Sequence, residues 1–295
     1  MTVLSTGKAT LAPAKLGKVR SDSNRLVFLA VYAVLVIHAL LTLFPLFWVV
    51  VNSFRHSDDI MRSITLIPES FDFTNYMSVL TATNIPRAFF NSLTICLMSL
   101  ALLLAVALPL AFALSRFRFR AAGYIHLFFT MAILVPSISV LPMLFTLFND
   151  LGLLGTPYGI TLVYATDQLP VTVFILVAFM RTIPQELDEA AIMDGASIFT
   201  LFAKIIVPLS KNGIVTVLVL AFVSIWNDYI TALILLPDPQ HRTLSVTLSM
   251  ARDDFRVDYG MMSAAIVFAV APMIVGYLLL KEQLTSGMAA GAVKG

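Results

Sequence analysis

Charge is scarce in this chain: Asp, Glu, Lys and Arg make up 12% of its 295 residues, against about a quarter in ordinary soluble domains. Cysteine is scarcer still. Cys96 is the only one, which excludes a disulfide framework or a thiolate metal site within one chain, and it reads as a small apolar residue inside a span. The four histidines form no ligand or catalytic set; His38 and His126 are expected to pack. Net charge is only +2, and the basic residues make no large patch beyond the N-terminal tail, so nucleic acid is not an expected partner. No Gly-x4-Gly-Lys-Ser/Thr loop is present, which removes the usual phosphate cradle. Internal repeats, low-complexity tracts and soluble modules are also missing.

What fills the chain instead is apolar. Hydrophobic residues account for 59% of it, and the mean hydropathy is +0.92. They fall in long runs, the pattern of membrane spans. Six runs, at 26–51, 88–114, 124–148, 157–180, 213–236 and 261–280, are each long enough to cross about 30 Å of hydrocarbon. The expected fold class is therefore an all-α polytopic membrane protein with six transmembrane helices. The first run follows Lys8, Lys15, Lys18, Arg20 and Arg25, but it is too long for a signal peptide and no small-residue cleavage site follows, so it is expected to stay attached. With the N-terminus inside, 13 of the 19 basic residues fall in inner segments and six in outer ones. The bias places both termini in the cytoplasm, and the tight "SRFRFR" turn is its strongest pin. In the outer segment 52–87, "IPESFDFTNYMSVL" reads as a small helix lying on the surface.

By this topology residues 181–212 form a cytoplasmic loop, and it is oddly structured. Thr182 stands three residues before Gln185, the spacing of a capping box, and Pro184 suits a first turn. Glu186, Asp188 and Glu189 complement a helix N-terminus. Gly195 suits a left-handed ending. Ser197 reads as the cap of a second helix, "IFTLFAKIIV", expected to stop before Pro208. An interfacial helix would favour lysine facing phospholipid; this tip is acidic, which suits a basic protein surface.

Glu189-Ala190-Ala191, then Gly195, Ile205 and Pro208 resemble the EAA motif, "EAA–x3–G–x9–I–x–L–P", of the membrane subunits of bacterial ABC importers. Val207 stands where the pattern has leucine. "IPQELDEAA", "DGAS", "RFRFR", "WNDYITALILL" at 226–236 and the terminal "GAVKG" resemble the carbohydrate-uptake branch, closest to MalG-like subunits. The resemblance covers nearly all of the chain. It implies a type I ABC importer permease fold in a bacterial plasma (inner) membrane. The parts would be a cytoplasmic tail 1–25, a first transmembrane helix 26–51, an extracytoplasmic loop 52–87, a permease core 88–281 holding the coupling loop 181–212, and a cytoplasmic tail 282–295. Glu189, Ala190, Ala191, Asp194, Gly195, Ile205 and Pro208 would be the ATPase-coupling residues. The implied partners are a second, MalF-like permease subunit, two cytoplasmic ABC ATPase subunits and an extracytoplasmic sugar-binding protein. ATP and Mg would be bound by the ATPase, with no cofactor in this chain and no enzymatic site of its own. An importer for another small polar solute is the nearest alternative.

Two acids lie within spans, where ionisable groups mark function by default. At 1.5 Å per residue, Asp167 lies about 21 Å from Arg181 and Asp228 about 22 Å from Gly213, so the two share a depth. Gln168 and Asn227 stand beside them, and Pro170 is placed to break the helix near Asp167. One reading is a cavity whose acceptors bind sugar hydroxyls, with Trp226, Tyr229 or Tyr164 stacking on sugar faces. Another has the acids capping broken helices or pairing with the partner subunit. A third, an intramembrane enzyme with Asp167 and Asp228 as a carboxylate pair, finds no supporting histidine or metal ligands.

The topology has a direct check. A reporter that fluoresces only in the cytoplasm is expected to light up when fused after Arg120, Ser210 or Gly295, and to stay dark after Glu69 or Asp253. The reverse pattern would contradict the orientation.

Overall fold

The computed structural model of the chain describes residues 21–62, 71–254 and 258–292. In chain order its helices are α1 (Ser21–Asn52), α2 (Ser57–Arg62), α3 (Thr74–Ala82), α4 (Ile85–Arg116), α5 (Ala122–Leu134), α6 (Ser137–Asp150), α7 (Pro157–Thr182), α8 (Glu186–Met193), α9 (Ile198–Thr200), α10 (Val207–Leu209), α11 (Lys211–Asn227), α12 (Ile230–Leu235), α13 (Leu244–Asp254) and α14 (Tyr259–Ala292), with a π-helical turn, Leu201–Ile206, joining α9 to α10. No strand occurs among the described residues. The described residues fall into two units, one up to Trp48 and the other from Val49 onward.

Four described helices are long and apolar enough to cross a membrane: Val27–Asn52 within α1, all of α4, all of α7, and Tyr259–Leu278 within α14. Two bent pairs, Ala122–Leu134 with Ser137–Asp150 and Ile198–Leu209 with Lys211–Asn227, raise the number to as many as six if each counts as one span. The expected span 124–148 is not one helix. It is α5 and α6, bent by 97° at Val135–Pro136. Pro136 has no N–H to give and pushes Val135 into extended backbone, at φ −82° and ψ 116°. The expected span 213–236 is likewise divided: α11 ends at Asn227, the next residue Asp228 is extended with a ψ of 130°, and α12 begins at Ile230. The other bend, of 71°, separates Ile198–Leu209 from α11 at Ser210. By contrast, Pro170 breaks nothing, and α7 runs through it as one helix of 26 residues.

The second unit is organised around α4 and α7, its most extensive helix pair. Lipid is as apolar as leucine, so helices in it associate by close packing, which small residues permit. Ala107 and Ala111 on α4 are fully buried, as are Leu176 and Met180 on α7. At Gly213 on α11 an added Cβ would lie 2.6 Å from the Phe179 ring of α7, so that crossing depends on glycine.

A polar knot fastens the start of α14. Asp258 accepts from the Ser57 hydroxyl at 2.7 Å and from the Met261 N–H at 2.9 Å. Asn75 of α3 donates to the carbonyls of Ser53 and Arg55 at 3.0 and 2.9 Å. The small helix expected in 52–87 is thus α3, with Asn75 and Val79 buried. Residues 63–70 lie outside the described residues. Before α3, Asp72 accepts from the hydroxyl and N–H of Thr74, which hold its carboxyl below the ordinary value, aided by His56.

Gly260 sits inside this knot. A Cβ there would come within 2.3 Å of the Arg55 carbonyl oxygen and 2.6 Å of the Asn75 amide. Gly260→Ala is expected to destabilise the fold by about 1–3 kcal/mol, the ordinary range for overpacking. Thermal melting of the purified protein checks this; an unchanged Tm would contradict it.

Candidate functional site

The segment from Ile183 to Ser210 builds a helix–turn–helix tip. Its first helix, α8, begins one residue after Gln185, which gives no side-chain cap. The expected Thr182 capping box does not form, because α7 extends to Thr182 and turns its hydroxyl back to the Phe179 carbonyl at 2.7 Å. The end of α8 is as expected. Gly195 has φ +79°; its N–H donates to Ile192 O at 3.0 Å, and the Ala196 N–H donates to Ala191 O at 2.9 Å. That pair of bonds is a Schellman turn. An added Cβ at Gly195 would meet nothing within 4 Å, so the demand for glycine there is one of backbone angle alone. Ser197 then caps the second helix, accepting from the Thr200 N–H at 3.2 Å.

This second helix does not stop before Pro208. It continues to Leu209 by widening into the π turn, in which the Val207 N–H reaches back five residues to Phe202 O. An α-helical register would direct the missing N–H of Pro208, and its ring, at the carbonyl of Lys204. The wider turn relieves that clash, and the chain bends two residues later at the buried Ser210. Ala191, Leu201 and Ile206 face the core, while Ile205 is half-buried against it. Glu189, Ala190, Asp194 and Pro208 are exposed.

The tip is less purely acidic than its sequence suggested. Met193 is 86% exposed and Phe199 75%, with Ile192 and Ile198 beside them in sequence and also exposed. Large apolar side chains left uncovered together mark a contact surface. The signal is present in the sequence, where "IM" and "IF" flank the glycine turn next to the acidic residues.

A second site is a cavity of about 720 Å³ between α5, α6, α7 and α11, extending to the start of α12. Its walls are mostly apolar, Phe128, Met131 and Leu144 among them, with Asp167 and Asp228 both in the lining. The two acids are held differently. Asp228 accepts from the Tyr164 hydroxyl at 2.9 Å, the Thr231 hydroxyl at 3.0 Å and the Ala232 N–H at 3.1 Å. It caps the helix that restarts after the break. Asp167 is exposed to the cavity; it accepts from the Ser137 hydroxyl at the α5–α6 break and from the Gln168 amide at 3.0 Å. Gln168 also donates to Ser224 of α11 at 3.1 Å, so the chain of polar contacts crosses three elements.

Three expected neighbours are not in this lining. Trp226 is 5% exposed; its indole N–H donates to the Ala269 carbonyl at 3.0 Å, and its ring packs on Phe222 and Phe89. No face is left for a sugar. Asn227 bonds back to Val223 O of its own helix at 2.8 Å, and Tyr229 lies past the break, neither lining the cavity. Ser137, Ser224 and Thr231, which sequence reading passed over, take their places. Among the described residues no group of three His, Cys, Asp or Glu side chains converges as metal ligands would.

One feature joins the tip to the spans. Arg116, in the last turn of α4, pairs through Nε with Asp188 Oδ2 of α8 at 3.1 Å, with side chains 4% and 15% exposed. In sequence this arginine orients the chain and this aspartate complements a helix end, and each falls in a stretch that resembles the family, but nothing there pairs the two.

Comparison with known proteins fits this architecture. Over 95% of its length the chain is 27% identical to the diacetylchitobiose uptake system permease protein NgcG of Streptomyces coelicolor, covering 93% of that protein. Over 92% of its length it is 31% identical to the trehalose transport system permease protein SugB of Mycobacterium tuberculosis, covering 99%. In fold it is similar to a solved bacterial ABC transporter involved in the import of the acidic polysaccharide alginate, with TM-score 0.80 over 90% of this chain and 99% of that one, at 22% identity. Residues 105–289 match the family described as binding-protein-dependent transport system inner membrane component. The chain belongs to that family and is a multi-pass inner-membrane transport subunit.

Proposed function

We propose that this chain forms half of the translocation pathway of an ATP-driven importer for a sugar or oligosaccharide. The observation that carries the reading is the tip: a helix–turn–helix with an uncovered apolar face, placed at the ends of spans that also build the cavity holding Asp167 and Asp228. No Gly-x4-Gly-Lys-Ser/Thr sequence occurs in the chain, and in this reading the energy comes from a separate ATPase pair. Glu189, Ala190, Asp194 and the apolar tip residues dock into it; Ala191, Gly195, Ile205 and Pro208 shape the element that docks. ATP and Mg belong to that partner. A second permease subunit of the MalF-like kind supplies the other half of the path, and an extracytoplasmic binding protein delivers the cargo. Two relatives are a diacetylchitobiose and a trehalose permease, which favours a saccharide. The cavity agrees in chemistry: apolar walls suit the faces of a pyranose, and a few fixed acceptors suit its hydroxyls.

The differing surroundings of the two acids support different roles for them in this reading. Asp167 faces the cavity and contacts cargo, while Asp228 holds the broken helix together. Asp167→Leu is expected to lower uptake of labelled trehalose or diacetylchitobiose per assembled complex by about tenfold or more, as loss of a hydrogen bond to a charged group implies. Asp167→Asn keeps an acceptor and is expected to lose less. Asp228→Leu is expected to lower the yield of complex and its Tm. Normal uptake per complex in Asp167→Leu would move the binding site to the partner subunit.

A further inference from the structure

The most buried charged contact of the tip lies away from its docking face. Arg116 is nearly sealed from solvent, paired to Asp188, and its Nη1 also donates to the Ile183 carbonyl at 3.1 Å. Arg181, in the last turn of α7, donates in the opposite sense to the Leu114 carbonyl of α4 at 3.4 Å. These contacts tie the adjoining ends of α4 and α7 to the first turn of α8. Between α7 and α8 the chain itself provides only Ile183, Pro184 and Gln185.

Stability alone is a poor account of this pair. Arg116 Nε and Nη2 and Asp188 Oδ1 are buried and make no hydrogen bond among the described residues, so Nε meets Asp188 Oδ2 as an ion pair alone. A buried ion pair with valences unmet gains little over a well-packed apolar pair, because desolvation offsets the attraction. What the charged pair adds is direction. The guanidinium is anchored by its Nη1 bond to the Ile183 carbonyl just before α8 and lies 3.1 Å through Nε from the Asp188 carboxylate on α8. These two contacts limit how α8 slides against α4, which apolar contacts leave free. The α4–α7 pair is packed along its length, and α7 carries Tyr164, Asp167 and Gln168 into the cavity.

We infer that the Arg116–Asp188 pair is the strut that delivers movement of the tip to α4 and α7, and through them to the cavity. Arg116 is thus a positioning residue. The inference rests on the coupling function proposed above. It assigns Asp188 a role distinct from that of its neighbour Glu189: one carboxylate faces the motor, the other faces the span.

The test needs no knowledge of the cargo. Cys96 is buried, so Cys96→Ser with Thr166→Cys leaves one exposed thiol in the cavity. The chain is purified with its permease partner and ATPase subunits, and fluorescein maleimide is the probe. With the pair intact, trapping with ATP and vanadate is expected to change the labelling rate at least about fivefold, the lower end of ordinary coupling energies. In Arg116→Met/Asp188→Leu, which leaves no unpaired charge, and in Asp188→Asn, the change is expected to fall below about twofold while the ATPase still co-purifies and hydrolyses ATP. A full nucleotide response in the double variant overturns the inference. Loss of the ATPase from that variant also overturns it, since the pair would then shape the docking surface. No response even with the pair intact would overturn the coupling function itself, and the strut with it.

Discussion

Hydrocarbon offers no water to a backbone group, so every interruption of a membrane helix has to be satisfied from within the protein. This chain interrupts its apolar segments at Val135–Pro136, Ser210 and Asp228, and each interruption is answered locally. The Val135 N–H bonds to Ala132 O at 3.2 Å. The Ser210 N–H bonds to Ile206 O at 2.9 Å. At Asp228 a carboxylate takes the N–H of Ala232. Two of these breaks line the cavity and the third hangs the tip from α11. Two breaks thus bring Ser137 and Asp228 to the cavity, where Ser137 meets Asp167 of the unbroken α7.

The same constraint explains what could be read from sequence. Apolar runs and the glycine of the tip are local signals: Gly195 takes a positive φ and Ser197 caps its helix because nothing distant competes. Asp167 and Asp228 could be placed at one depth by counting residues, and they do line one cavity. Breaks were another matter. Pro109, Pro142 and Pro170 lie inside continuous helices, whereas Pro136 stands at a 97° bend. What distinguishes Pro136 is tertiary: the next residue, Ser137, is bonded to Asp167 thirty positions on. Trp226 misled for a related reason. Its place beside Asn227 and Asp228 suggested a shared face, yet its indole turns to the Ala269 carbonyl of α14. Neither partner is visible from spacing alone.

Arg116 and Asp188 show how one residue answers to two physical rules. A basic residue at a span end orients the chain in the membrane, and an acidic one in a first turn suits a helix dipole. Both statements hold here, and neither reveals that the two side chains meet in a buried pair. The tip then divides by face. Apolar Met193 and Phe199 are turned outward, Ala191 and Ile206 inward, and Asp188 sideways to α4. A partner pressing on the outward face would act on the spans through the other two.

An ATPase seated on the outward face of the tip, as proposed, would lie against Met193, the most exposed large apolar residue there. Met193 replaced by a photo-crosslinking amino acid, irradiated in native membranes and analysed by mass spectrometry, is predicted to give one dominant adduct with a cytoplasmic ATP-hydrolysing subunit. Adducts with lipid alone, or with no ATPase among the captured proteins, would contradict the account.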